Sequence, residues 1–349
     1  MTATALSRHL PRINSWLLAA IFFSIPTHVA PAYSLSLLLL ALWLAQGDRL
    51  ARLGAVFRNR ALWTLLVYYA LVAASLLWTE DLANGQRMLG KATFFLLAPL
   101  YFSVARKEHY DLYLGAFLCA VALCELLAFY NWLQLHHFPE LPPGVRVDKD
   151  PLDTAPFVDR IMYAPILAWA GYLAGQRALF PGHRHRALYV ALLATTALNL
   201  VISGGRAGMV AFLALLGLLV VQRCKGRLIV ALPLAALCAA LVAGGAYFGN
   251  SYFQERVDTA ISNATELREN PNTSVGLRLA WAWASWRIFV ENPLVGVGAG
   301  DLPAQLQAGN ARLSPAVTPT WNPHNHFLYT LSTLGIAGGL ALAAMLVPP

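Results

Sequence analysis

Charge is scarce in this chain. Only 12% of its 349 residues are Asp, Glu, Lys or Arg, about half the share usual in soluble globular domains, so an ordinary water-facing surface cannot cover it. Acidic residues are the scarcer sign, 17 against 25 basic ones. Cysteine is rare as well. Cys119, Cys124, Cys224 and Cys238 lie in or beside apolar stretches and form no Cys-x-x-Cys pair, which argues against a disulfide framework and a zinc site. No Walker motif occurs, so ATP-driven transport is not expected. No pair of carboxylates is evident for glycoside hydrolysis. No small-residue cleavage site follows the basic start MTATALSRHLPRINSW, so the first apolar block is expected to stay as a helix.

Hydrophobicity is what the chain has in quantity, at 58% of residues. The apolar residues come in blocks near the ~20 that a helix needs to cross a bilayer. They do not alternate over the ~10-residue segments of a membrane β-barrel. The expected fold is an all-α polytopic membrane protein, a single membrane domain over residues 1–349. Ten spans are expected, at residues 14–29, 32–46, 61–78, 88–105, 112–135, 161–175, 187–203, 208–222, 228–248 and 324–347. Several are short enough to tilt or re-enter.

With the N-terminus in the cytoplasm, each inner loop is basic. Arg8 and Arg12 come first. Arg49, Arg52, Arg58 and Arg60 follow, then Arg106 and Lys107, then Arg177, Arg184 and Arg186, then Arg223, Lys225 and Arg227. This alternation is the positive-inside pattern, and it accounts for the net charge of +8 without nucleic acid as a partner. Two substantial segments then fall outside. Residues 136–160 form a first outer loop whose prolines favour an extended or turn-rich path. Residues 249–323 form the largest polar segment. Within it Thr273 or Ser274 can cap a Trp-rich amphipathic helix near 275–291, suited to the membrane surface.

The candidate chemistry is cationic and lies on the outer side. Arg206 stands in SGGRAG between two apolar stretches, in a hairpin too tight to release it easily into water. Gly204, Gly205 and Gly208 would let backbone N–H groups approach the same anion. Arg278 lies near the start of the Trp-rich helix, and Lys91 sits near the outer end of the fourth span. Arg87 and Arg160 read more simply as interfacial arginines. Arginine suits phosphate because its planar fork gives two parallel hydrogen bonds.

His324 heads the apolar run in NPHNHFLYTLSTLGIAGG, beside Asn322, Asn325 and His326. A neutral imidazole there can accept a hydroxyl proton. Placed on a helix, His324 would share a face with Leu328, and His326 would point elsewhere as the weaker candidate. Asp148, Asp150 and Asp153 could bind a divalent cation, but their prolines and Lys149 read as a solvated loop, and no metal is expected. GVGAGD at residues 296–301 lacks a preceding strand and reads as a turn.

His324-Asn325, nine residues, then Gly335-x-x-Gly338 resembles the signature of O-antigen ligases. ENPLVGVGAGD, the SGGRAG around Arg206 and the Arg278 segment are similar to the wider O-antigen ligase and polymerase superfamily, over mainly residues 190–345. The resemblance implies a GT-C-like glycosyltransferase in the bacterial inner membrane with its active site in the periplasm. Its donor would be O-antigen polysaccharide on undecaprenyl pyrophosphate, and its acceptor a lipid A–core hydroxyl, as in lipopolysaccharide biosynthesis. His324 would be the base, and Arg206 and Arg278 would hold the pyrophosphate. Lys91, Arg160, Arg87 and Asn325 would have supporting places, and no metal or cofactor would be needed. Attack from the opposite face would invert the anomeric centre. The family has about a dozen spans, so with the chain closing on LVPP a truncated C-terminus is expected. An O-antigen polymerase or protein O-oligosaccharyltransferase shares this donor and fold. A secondary anion transporter is the alternative of another class, but it would be expected to show inverted repeats.

Overall fold

Long apolar stretches with few breakers become helices because, in hydrocarbon, the backbone must satisfy its own hydrogen bonds. The computed structural model describes residues 3–46, 49–146, 153–182, 184–249, 254–255, 257–259, 261–262, 272–313 and 316–347. Its regular structure is all helical among these residues. Among the described residues five helices are long and apolar enough to cross a membrane: Lys107–His136, Arg186–Ser203, Arg206–Arg223, Leu228–Gly249 and His326–Leu346. Ala30–Leu44 and Arg60–Ser75 are shorter apolar helices. The protein is an all-α polytopic membrane protein.

The chain divides into two compact units. The first comprises Met1–Trp43 and Ala105–Asp258, the second Leu44–Val104 and Thr259–Pro349. The first unit contains α1 (Ala3–Thr27), nearly all of α2 (Val29–Leu44), α7 (Tyr110–His136), α8 (Arg160–Leu179), α9 (Arg186–Ser203), α10 (Arg206–Arg223) and α11 (Leu228–Gly249). Its core joins Val121, Cys124 and Ala128 of α7 to Tyr163, Leu167 and Ala168 of α8, with Leu200, Met209 and Phe212. Small residues let backbones approach where lipid supplies little hydrophobic drive between helices. A Cβ on Gly171 would meet Phe212, and one on Gly175 would meet Leu219. Glu125, buried in α7, accepts hydrogen bonds from Thr195 (2.6 Å) and Thr196 (2.5 Å) of α9. These bonds offset part of its desolvation.

The second unit contains α3 (Arg49–Phe57), α4 (Arg60–Ser75), α5 (Leu82–Ala92), α6 (Phe94–Val104), α12 (Ser274–Glu291), α13 (Leu302–Leu313) and α14 (His326–Leu346). The single span expected at 88–105 is a correction: α5 and α6 are separate helices that meet at Thr93. α5 instead starts at Leu82, where Asp81 caps it by accepting from the Asn84 N–H at 3.0 Å. Thr273 caps α12 by accepting from the Gly276 N–H at 3.2 Å. The apolar residues of α12 divide between its faces. Ala284 and Ile288 are buried, while Leu279, Trp283, Trp286 and Val290 are exposed. The Asp148–Asp150 pair lies outside the described residues. Asp153 spends its carboxylate on backbone, accepting from Ala155 N (2.9 Å) and Arg160 N (3.0 Å).

Candidate functional site

α14 is broken inside its apolar run, and the break organises the site. Gly335 has φ 62° and ψ −157°, a region essentially restricted to glycine. A break orphans backbone groups on both sides. The loop 292–301 supplies their partners. Ile336 N donates to Pro293 O at 2.8 Å, Val297 N to Ser332 O at 3.0 Å and Gly298 N to Thr333 O at 2.9 Å. A Cβ on Gly335 would collide with the Leu294 backbone, and one on Gly296 with the Thr333 backbone. The GVGAGD run is thus a turn-rich loop docked by its backbone.

The same loop ties in α4 and α5, and α14 itself ties in α12. Ala299 N donates to Ser75 Oγ (3.2 Å), and Asn84 Nδ2 to Gly300 O (2.7 Å). Asp301 accepts from Glu80 N (2.9 Å) and Asp81 N (2.8 Å) at the start of α5. Ser332 Oγ donates to Ser285 O of α12 at 2.9 Å.

His324 stands outside α14, a correction to its expected place on that helix. Asn-Pro favours a turn, and Asn325 is a better N-cap than histidine. Its Oδ1 accepts from Phe327 N (3.0 Å) and Leu328 N (3.2 Å). Asn322 Oδ1 accepts from His324 N at 2.9 Å, and Thr320 Oγ1 donates to Asn322 O at 2.8 Å. This turn holds His324 at φ 53°, a left-handed conformation that costs an L-residue roughly 1–2 kcal/mol. Its ring lies against Trp281 of α12, centroids 5.2 Å apart. Trp281 is itself fixed by its Nε1–H to Thr318 O, 3.0 Å.

His324 opens on a cavity of about 450 Å³ whose wall includes Tyr68, Lys91, Asn322, His326 and Tyr329. His324 and His326 therefore share one cavity, because the helical rule that separated them does not apply to a residue ahead of the cap. The Tyr68 hydroxyl lies 3.0 Å from Thr330 Oγ1 and 3.4 Å from His326 Nε2. The His326 and Tyr329 rings stack, with centroids 5.9 Å apart. Among the described residues the wall contains an ammonium and two imidazoles but no carboxylate. Such a lining favours an anionic ligand and offers a proton acceptor.

The sequence candidates divide between the units. Lys91 is in the cavity wall, and Arg87, one turn earlier on α5, is exposed. Exposed Arg278 sits three residues before Trp281 on α12, a spacing that puts the two on one helical face. Asn325 is the α14 cap. Arg160 and Arg206 belong to the first unit, where they begin α8 and α10. They start at the same end: the Arg160 carbonyl is 3.2 Å from a Cβ built on Gly205. Arg206 is exposed rather than trapped. Gly205 and Gly208 face Ala164 of α8, where a Cβ would collide, and left-handed Gly204 caps α9. Helix packing accounts for these glycines without an anion. Tyr68 and Tyr329 are site residues that sequence reasoning missed, since a tyrosine inside an apolar run carries no signal of its own. Residues 191–343 match a family model described as O-antigen ligase. No curated protein matches the chain.

Proposed function

We propose, from the match of residues 191–343 to a family model described as O-antigen ligase, that the chain transfers an O-antigen polysaccharide from undecaprenyl pyrophosphate to a lipid A–core hydroxyl. The observation that carries this reading is His324, held in a strained turn on a cavity that also exposes Lys91 and, among the described residues, has no carboxylate in its wall. Strain of this kind persists where the surroundings over-determine a conformation, often at a working residue. The basic loops support a site on the periplasmic face of the inner membrane, with the N-terminus in the cytoplasm.

In the proposed step His324 takes the proton of the acceptor hydroxyl. The acceptor oxygen bonds to the anomeric carbon as the bond to the pyrophosphate oxygen breaks. The electron pair leaves on the pyrophosphate. Cations set in advance stabilise that charge as it develops. Lys91 and Arg278 are the candidates in the unit that holds His324. The lipid-linked pyrophosphate is already an activated leaving group, so neither ATP nor a metal is required, and direct displacement inverts the anomeric centre.

Purified protein, donor lipid and lipid A–core, with EDTA present, test the reading. Core-linked polysaccharide is the expected product. Lengthened lipid-linked polymer without core attachment would reassign the chain to polymerisation. Glycan on protein would reassign it to protein O-glycosylation. Anion counterflow in proteoliposomes without glycosyl transfer would make it a transporter.

A further inference from the structure

A catalytic base is commonly oriented by a third group, often a carboxylate that also balances the charge of the protonated ring. Among the described residues His324 has no such group. No carboxylate is in its cavity wall, and the bond to Asn322 comes from the His324 backbone N–H, not from the ring. What the ring does have is the Trp281 indole. The two centroids are 5.2 Å apart and the planes are inclined at 35°, closer to stacked than to edge-on.

Trp281 is itself held on several sides. Ser285 Oγ donates to Trp281 O at 2.8 Å, and Ser332 Oγ of α14 donates to Ser285 O at 2.9 Å, so α12 is docked on the helix that follows His324. The indole Nε1–H donates to Thr318 O at 3.0 Å. Thr318 is fixed in turn. Its N–H and its Oγ1 both donate to Asn272 Oδ1, at 2.9 and 3.1 Å. Asn272 Nδ2 donates to Ala316 O at 2.8 Å. One rigid indole therefore bonds to residue 318 and rests on residue 324, the two ends of the turn that sets His324 at positive φ.

We propose that Trp281 is a positioning residue, which clamps the turn 318–324 and takes the place of the missing carboxylate beside His324. Its part in the reaction rests on the glycosyltransferase reading. The proton of the acceptor hydroxyl moves to a ring nitrogen of His324, which makes that ring a cation. An indole within about 6 Å attracts a cation through its quadrupole. A carboxylate in the same place would repel the departing pyrophosphate. A neutral aromatic ring orients the base and steadies its charged form without that conflict.

The test is glycosyl transfer by the full chain in detergent, with the melting temperature of each variant measured beside it. Trp281→Leu lowers kcat about 5–30-fold and leaves KM for donor lipid and for lipid A–core near that of wild type. Trp281→Phe keeps an aromatic ring and recovers part of the loss. Asn272→Ala, which acts on Trp281 through Thr318, gives a smaller fall in kcat of the same kind. A Trp281 that only packs α12 or anchors it at the membrane interface would lower the melting temperature or raise KM and leave kcat per folded protein unchanged, and that result overturns the proposal. A second readout needs no turnover. In NMR of the full chain with isotope-labelled histidine, the His324 ring signal is assigned by its absence from His324→Ala. It has the ring-current shift of the indole in wild type and loses it in Trp281→Leu. A His324 signal that does not move also overturns the proposal. Should Trp281→Leu not fold, Trp281→Phe and Asn272→Ala carry both readouts. Wild-type protein that transfers no glycan but shows the ring-current shift would refute the function and leave the clamp standing. Wild-type transfer with full kcat in the variants would refute the role of the clamp alone.

Discussion

Two glycine-rich segments sit beside basic or titratable residues, and they use glycine for different reasons. In the first unit, Gly205 and Gly208 flank Arg206 and leave room for Ala164 of the neighbouring helix. In the second, Gly296 and Gly335 adopt positive φ and bring two backbones into hydrogen bonding. At Gly205 the first is chiefly a fit against the Ala164 side chain, which another side chain can adjust, although Gly208 meets the Ala164 backbone as well. The second is a backbone fit that no side chain can repair. A glycine cluster beside a cation is therefore no anion nest by default; what the missing Cβ would have met decides.

The comparison can be broken by substitution. The largest effect is expected at His324→Gly. Loss of a general base lowers turnover by about 10²–10⁴-fold, yet the unfolding transition does not fall, because glycine relieves the left-handed strain. A parallel collapse of stability would mean that His324 is only structural. Next is Gly335→Ala, where backbone conflict and collision with Leu294 together cost roughly 3 kcal/mol or more. Thermal melting in detergent should show it, and no replacement of a neighbouring side chain should rescue it. Gly205→Ala is expected to cost about 1–3 kcal/mol by overpacking. Here Ala164→Gly in the same chain should restore most of the loss, which a double-mutant cycle would measure. If that pair shows no coupling, the packing account of SGGRAG is wrong. The smallest effect is Asn325→Ala, about 1 kcal/mol from the lost cap, with a modest fall in turnover as the His324 turn loosens.

The sequence made the long helices legible because hydrophobic runs report hydrocarbon burial directly. The α12 cap was legible too, since Thr273 ahead of an apolar run is local chemistry. His324 could be picked out by its neighbours, but its conformation was misread because histidine was taken as the helix start although Asn325 is the better cap. Breaks were harder. Thr93 interrupts an apolar stretch with no proline beside it. Gly335 looks like one more small residue in a membrane helix, and only a loop some 40 residues earlier, docking through its backbone, opens the helix there. Tyr68 and Lys91 reach the His324 cavity from α4 and α5, pairings that no local period encodes. The Arg206 glycines were read as anion-binding for the same reason: their partner, Ala164, lies on another helix.

The most direct measurement of the central claim is the lipopolysaccharide ladder of cells whose only copy of this protein carries His324→Ala, at matched protein level. If His324 is the base for ligation, the ladder disappears, lipid A–core stays unsubstituted and lipid-linked polymer accumulates. An unchanged ladder would contradict the account.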